Sequence, residues 1–107
     1  MVYEEVVEAV RKTFENSDAR NIFEHIAVEV DIVGEVSGAF YIEVAERFAT
    51  VEPYNYYDHD VLVKASARTI VDIAEGRLNV RDAINDGLVD CSGDIRKLNI
   101  CLDKLKF

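Results

Sequence analysis

Gly76-Arg-Leu-Asn79-Val-Arg-Asp-Ala83-Ile-Asn-Asp-Gly87-Leu-Val-Asp-Cys91-Ser-Gly93-Asp94 is the stretch whose reading decides the fold. Glycine is the usual residue just past a helix C-terminus because it takes a left-handed backbone at no steric cost, so Gly76 and Gly87 read as two successive helix stops. Between them Asn79 is placed to cap a helix of under two turns. After Gly87 the run Leu88-Val-Asp-Cys-Ser92 is short and half apolar, which suits a strand. Gly93-Asp94 then supplies a turn and an N-cap for a final helix. Helix, short helix, strand and helix succeed one another at a pace that few folds match.

Working upstream, Ser66 is a good N-cap for the first of these helices, whose Ile70, Val71, Ile73 and Ala74 are spaced to pack inward. Before it, Asp60 to Ala65 alternates Val61, Val63 and Ala65 against Leu62 and Lys64, the mark of a strand. Pro53-Tyr54-Asn55-Tyr56-Tyr57 is an aromatic loop, and Phe48 to Glu52 a further strand. Ile26, Val28, Val30 and Ile32 alternate with Ala27, Glu29 and Asp31, and Phe40, Ile42 and Val44 resume the alternation after a loop from Gly34 to Gly38. A five-residue loop would set Val30 opposite Ile42 and Glu29 opposite Glu43. At the start, Val2, Tyr3, Val6, Val7, Val10 and Phe14 recur at spacings of three and four and define an amphipathic helix. Asn16-Ser17-Asp18 breaks it, and a helical turn is expected as far as Glu24. The expected class is α+β, a five-stranded, mainly antiparallel sheet with helices packed on one face.

The chain has 107 residues, half of them hydrophobic, with one proline and no repeat, which predicts one domain over residues 1–107. Its formal charge of −9 argues against nucleic acid or anionic membrane as the main partner. No apolar run approaches the roughly 20 residues of a membrane span, and the acidic start Met-Val-Tyr-Glu-Glu is unlike a signal peptide, so a cytoplasmic location is expected. Cys91 and Cys101 read as free, partly buried thiols ahead of a disulfide. Two histidines and two cysteines give no pair at ligand spacing, so neither a metal nor a cofactor is expected.

Acids facing each other across a sheet repel, so Glu29 and Glu43 read either as a metal or proton site or as a solvated outer face relieved by Arg47 or Lys64. Asp58-His59-Asp60 is the one constellation with catalytic chemistry to test, against the alternative of a solvated turn entering a strand. Ser17, Ser37, Ser66 and Ser92 sit at turns or caps, and none lies in a nucleophile-elbow pattern. An enzyme is therefore not expected.

From Asp60 to about Leu98 the chain resembles the sterol carrier protein-2 family. That family's pattern is an Asp opening an alternating strand, a helix, Gly-x-Leu/Met-Asn, an Ala four residues on, Gly, a strand, and Gly-Asp/Asn. Asp60, Val61, Val63, Gly76, Leu78, Asn79, Ala83, Gly87, Val89, Cys91, Gly93 and Asp94 stand at those places. Phe40-Tyr-Ile-Glu-Val44 occupies the place of the family's aromatic strand. The chain departs from the pattern where a proline often follows the Asn, here Val80, and where lysines are common, here Leu88 and Asp90. It has no tryptophan, and its segment after the terminal helix is short.

The resemblance implies binding, and transfer, of a hydrophobic small molecule such as a fatty acyl chain, a sterol or an isoprenoid-like lipid, in a cavity between sheet and helices. The expected contacts are Val28, Val30, Phe40, Ile42, Phe48 and Val63 of the sheet and Leu98, Leu102 and Leu105 of the terminal helix. Tyr56 and Tyr57 would form a polar-tipped rim. Taken singly, the same apolar residues read as ordinary core ahead of ligand contacts, and the tyrosines equally as an exposed loop. An empty cavity of roughly 300 Å³ would cost about 7 kcal/mol, as much as a whole domain's stability, so it must be filled or collapsed. The second reading is an accessory module that presents a lipid-like intermediate to a partner enzyme, or a homodimer built on the N-terminal helix or a sheet edge.

Overall fold

A computed structural model describes residues 1–105. Its elements run α1 (Tyr3–Phe14), β1 (Ile26–Val33), β2 (Gly38–Ala45), β3 (Phe48–Glu52), β4 (Val61–Ser66), α2 (Ala67–Ala74), α3 (Val80–Asn85), β5 (Val89–Gly93) and α4 (Ile95–Lys104). The order in the sheet is β3-β2-β1-β4-β5. The β1–β2, β2–β3 and β4–β5 pairs are antiparallel, and the central β1–β4 pair is parallel. This is the expected α+β class, with a mixed sheet whose pairs are mostly antiparallel. Between α1 and β1 the chain turns twice, with Ser17 N–H donating to Phe14 O (3.1 Å) and Ile22 N–H to Ala19 O (3.0 Å).

The caps behave as their chemistry dictates. Ser66 Oγ accepts from Thr69 N–H, Asn79 Oδ1 from Asp82 N–H, and Asp94 Oδ1 from Lys97 N–H, each at 3.2 Å. Beyond α2, Gly76 N–H reaches Ile73 O (3.1 Å) and Arg77 N–H reaches Asp72 O (2.8 Å), the paired bonds of a Schellman stop. Beyond α3 the same pair recurs, with Gly87 N–H on Ile84 O (3.1 Å) and Leu88 N–H on Ala83 O (2.9 Å). Gly93 serves a different need. A Cβ there would lie 2.4 Å from Asp60 O, because the β5 backbone crosses directly against the residue that opens β4.

Alternation decides which face each strand buries, and the pairing decides the register. Val28 faces Ile42, Val30 faces Phe40 and Glu29 faces Tyr41, so the β1–β2 hairpin is two positions tighter than a five-residue loop gives. The even offset leaves every side chain on its expected face, so Val28, Val30, Phe40 and Ile42 still line one side. Phe48 is a correction. It pairs with Ala45, while Ala49 and Val51 pair with Val44 and Ile42, so Phe48 points to the opposite face and is 74% exposed.

Phe40, Ile26, Val44, Val51 and Val61 of the sheet are fully buried together with Val6 of α1 and Ile22. Removing a ring such as that of Phe40 would cost about 3–5 kcal/mol. Helix α1 also serves the sheet edge. The Arg11 guanidinium donates to Val51 O (3.2 and 3.3 Å) and Val51 N–H donates to Glu15 Oε2 (3.4 Å), so Val51 on the free edge of β3 is held by side chains of α1 and its C-cap. Among the described residues no helix is long and apolar enough to cross a membrane.

Candidate functional site

Between the inner face of the sheet and the helices lies a cavity of about 120 Å³. Its floor is Val28 and Val30 of β1, Phe40 and Ile42 of β2, Val63 and Ala65 of β4, and Val89 and Cys91 of β5. Val10 and Phe14 of α1, with Ile70, Ile73 and Ala74 of α2, form one wall. Val80 together with Leu98, Cys101, Leu102 and Leu105 of the α4 region closes the other. Every lining residue is apolar or a cysteine, which follows directly from the period of 2 in the strands and of 3.6 in the helices.

Two grooves flank α4 on the outside. One, of about 320 Å³, shares Phe14, Ile73, Val80, Cys101, Leu102 and Leu105 with the cavity and adds Gly76, Leu78, Asn79 and Arg81. The other, of about 770 Å³, runs between α3 and α4 along β5 and shares Val89, Cys91, Leu98 and Leu102. Leu98 and Leu102 therefore form a thin partition, and displacing α4 would join the cavity to a groove. Burial pushes the Cys101 thiol up to about 11 and raises Cys91 as well, with Asp60 and Asp90 adding to the respective shifts. Both thiols stay neutral and behave as small apolar groups.

Eight of the eleven residues expected to meet a ligand thus line one cavity: Val28, Val30, Phe40, Ile42, Val63, Leu98, Leu102 and Leu105. Phe48, Tyr56 and Tyr57 lie elsewhere. The Tyr-rich loop folds over the outer face, away from the helices, and Tyr57 is 95% exposed. Tyr56 O–H donates to Glu43 Oε2 (2.9 Å), its backbone N–H donates to Glu29 Oε1 (2.8 Å), and its ring meets that of Tyr41 edge-on at 4.9 Å. The wall from α1 and α2 was missing from the expected contact set, although its apolar periodicity stands in the sequence at Val10, Phe14, Ile70, Ile73 and Ala74.

The outer face explains the acids that the strand pattern placed there. Glu43 accepts from Tyr56 and sits 2.6 Å from His25 Nε2, and the His25 contact, with Tyr56 assisting, holds its carboxyl below the ordinary range. Glu29 is buried; burial would raise it, but hydrogen bonds from Asp31, the Tyr56 amide and Asn55 outweigh that and hold it down. Asp31 is pushed up by burial and by the neighbouring Glu29. His59 Nδ1 lies 3.8 Å from Glu29 and 2.8 Å from Tyr56 O. Relief thus comes from the loop and the histidines in place of Arg47, whose guanidinium carbon sits 5.6 Å from the Phe23 ring centre. Among the described residues no group of three acidic, His or Cys side chains is arranged to hold a metal ion.

Asp58 and Asp60 do not converge. Asp60 Oδ2 accepts from Ala27 N–H (2.8 Å), its Oδ1 lies 3.0 Å from Lys97 Nζ, and its carbonyl accepts from Asp94 N–H (2.7 Å). Asp60 therefore ties β1, β4 and the start of α4 together, while Asp58 is exposed.

No family model and no curated protein matches the sequence. The fold, by contrast, has clear parallels: it is that of sterol carrier protein-2 proteins, an α+β sheet backed by helices. Palmitated sterol carrier protein-2-like 2 from Aedes aegypti is similar over 96% of this chain and 93% of its own, at 17% identity and a TM-score of 0.74. A ubiquinone synthesis protein, UbiJ-SCP2, is similar over 94% and 89%, at 18% identity and a TM-score of 0.66. The sec-alkylsulfatase Pisa1 from Pseudomonas sp. is similar over 78% of this chain at 21% identity and a TM-score of 0.62, and the chain spans only 13% of that protein's length. The likeness read from Asp60 to Leu98 extends in fold across nearly the whole chain.

Proposed function

We propose that this protein binds a hydrophobic small molecule, such as a fatty acyl chain, a sterol or an isoprenoid-like lipid, in the cavity between sheet and α4, and acts without catalysis as a single lipid-binding domain. The observation that carries this reading is the lining, in which no charged or hydrogen-bonding side chain apart from neutral thiols meets the cavity. At about 120 Å³ the cavity is smaller than the ~150 Å³ apolar cavity that takes benzene. A long chain needs more room than this, and a shift of α4 toward the adjoining groove supplies it. Burial at about 0.8 kcal/mol per methylene drives that shift. The unpaired thiols fit a reducing, cytoplasmic compartment.

The carrier reading draws support from the similar fold of palmitated sterol carrier protein-2-like 2. A second reading, as an accessory module serving a partner enzyme, draws support from the similar fold of a ubiquinone synthesis protein. Native mass spectrometry of purified protein, followed by solvent extraction, tests the first. Substoichiometric lipid is expected, together with a thermal shift on adding fatty acid. Lipid-free preparations that also show no shift with fatty acid, sterol or isoprenoid would sink it.

A further inference from the structure

The sheet has two edges, and they are treated differently. At β3 the outward amide and carbonyl of Val51 are occupied by Glu15 and Arg11. At β5, Asp94 N–H donates to Asp60 O (2.7 Å), which turns that side of the chain toward β4. Backbone alternation then points the amides and carbonyls of Val89, Cys91 and Gly93 outward. Among the described residues no side chain bonds to them. The space beside them is the groove of about 770 Å³ between α3 and α4. Its walls carry Ile84, Ile95, Leu98 and Leu102, and its far side is bridged by Arg81 Nη2 and Asp103 Oδ1 at 2.7 Å.

An open edge beside an apolar groove is the geometry of strand addition, in which main-chain hydrogen bonds give affinity and alternate side chains fill a groove. We propose that this groove takes an extended segment of a partner protein, which adds to β5 as a sixth strand, sets alternate apolar side chains between α3 and α4, and carries basic residues at the positions between. Basic chemistry follows from charge: Asp90 borders the open edge and is exposed on the outer face, with Lys64 one strand further in, Arg81 is already matched by Asp103, and the protein as a whole carries −9. Ladder geometry supplies the spacing, since side chains flanking the apolar ones point to the face that bears Asp90 and Lys64. Because Leu98 and Leu102 also wall the cavity, a docked segment bears on the helix that closes it; that consequence alone rests on the lipid-binding reading, and docking itself is measured without lipid.

The test uses a labelled peptide, Lys-Val-Lys-Val-Lys-Val-Lys, titrated into lipid-stripped protein, with anisotropy for affinity and amide hydrogen exchange for location. Binding should slow exchange at Val89 and Cys91, and methylating the peptide's alternate amides should weaken it at least about tenfold. Asp90→Lys should also weaken it about tenfold and let a Glu-Val peptide bind in its place. Asn99→Trp, on the exposed groove side of α4, should block both peptides while circular dichroism confirms the fold. No binding at about 1 mM peptide, binding indifferent to amide methylation or to Asp90→Lys, or protection at β3 in place of β5 would each overturn the proposal.

Discussion

Lys97 Nζ lies 3.0 Å from Asp60 Oδ1, joining the first turn of α4 to the residue that opens β4, and the same ammonium donates to His25 O at 3.0 Å. Both side chains are about four-fifths buried, so this is a tie inside the fold and not a surface pair. It fixes the start of the helix that walls the cavity to the centre of the sheet.

Asp60→Ala should therefore lower stability by about 2–3 kcal/mol, since it strands the Ala27 amide and the Lys97 ammonium. Burial pushes the Asp60 carboxyl up, but the Ala27 amide and Lys97 outweigh it and hold it below its ordinary value of 3.8. With the native pKa depressed, the stabilisation is complete above the unfolded pKa and is lost as pH falls through the native one. Urea melts of wild type and Asp60→Asn should show a gap that is constant near neutral pH and narrows below about pH 4. A gap that stays constant into the acid range would contradict the assignment.

Gly93→Ala and Gly76→Ala should separate sharply. Both glycines have positive φ, 102° and 81°, but a Cβ at Gly93 would meet Asp60 O at 2.4 Å while one at Gly76 meets nothing within 4 Å. Gly76→Ala should cost about 1–2 kcal/mol from the left-handed backbone alone. Gly93→Ala should cost about 3 kcal/mol or more, because two backbones must part. Equal losses in chemical denaturation would show that the β4–β5 crossing is not tight.

Val63→Phe places a ring in the cavity from the middle of β4. Lipid uptake should fall at least about tenfold while the apo protein melts at the same temperature or higher, because the ring fills apolar space that no side chain occupies. Uptake at the wild-type level, measured by displacement of a fluorescent fatty acid, would put the ligand elsewhere.

Tyr57→Ser should change neither lipid uptake nor the melting temperature, since its ring is almost wholly in water. Tyr56→Phe should leave uptake alone but cost about 1 kcal/mol through the lost bond to Glu43. A selective loss of uptake in either variant would bring the loop back to the binding site.

Cys101, with its thiol raised to about 11 by burial, should react with a charged thiol reagent at neutral pH about 100-fold more slowly than a free cysteine. Bound lipid should slow it further, and Cys91→Ser isolates the signal. Rapid labelling that lipid does not affect would show that α4 leaves the cavity open to water.

What the sequence made legible was local. Ser66, Asn79 and Asp94 cap their helices through bonds spanning three residues, and Gly76 and Gly87 stop helices through bonds inside one turn, so neighbouring residues carry the whole signal. Alternation gave the faces of Val28, Val30, Phe40 and Ile42 but not their partners, because a shift of two positions changes the register and leaves every face unchanged. In β3 the pattern Phe-Ala-Thr-Val-Glu offers an apolar residue on each face, and only pairing with β2 decides that Val51 goes in and Phe48 out. The side on which the tyrosine loop folds is a long-range matter. The clue lay in Glu29 and Glu43, acids on an outer face that needed donors, which Tyr56 and Asn55 supply.

The parallel pairing of β1 with β4 governs the order in which the molecule assembles. The β1–β2 and β2–β3 hairpins close over short turns, whereas Val28 meets Val61 only after both hairpins intervene. Loop-closure entropy makes that meeting costlier than either hairpin, and β5 and α4 anchor on β4 through Asp60 and Gly93. No chamber for an apolar guest exists before this step. A guest therefore has nothing to grip on the way up the barrier; it leaves the refolding rate unchanged and acts by slowing the escape from the native state.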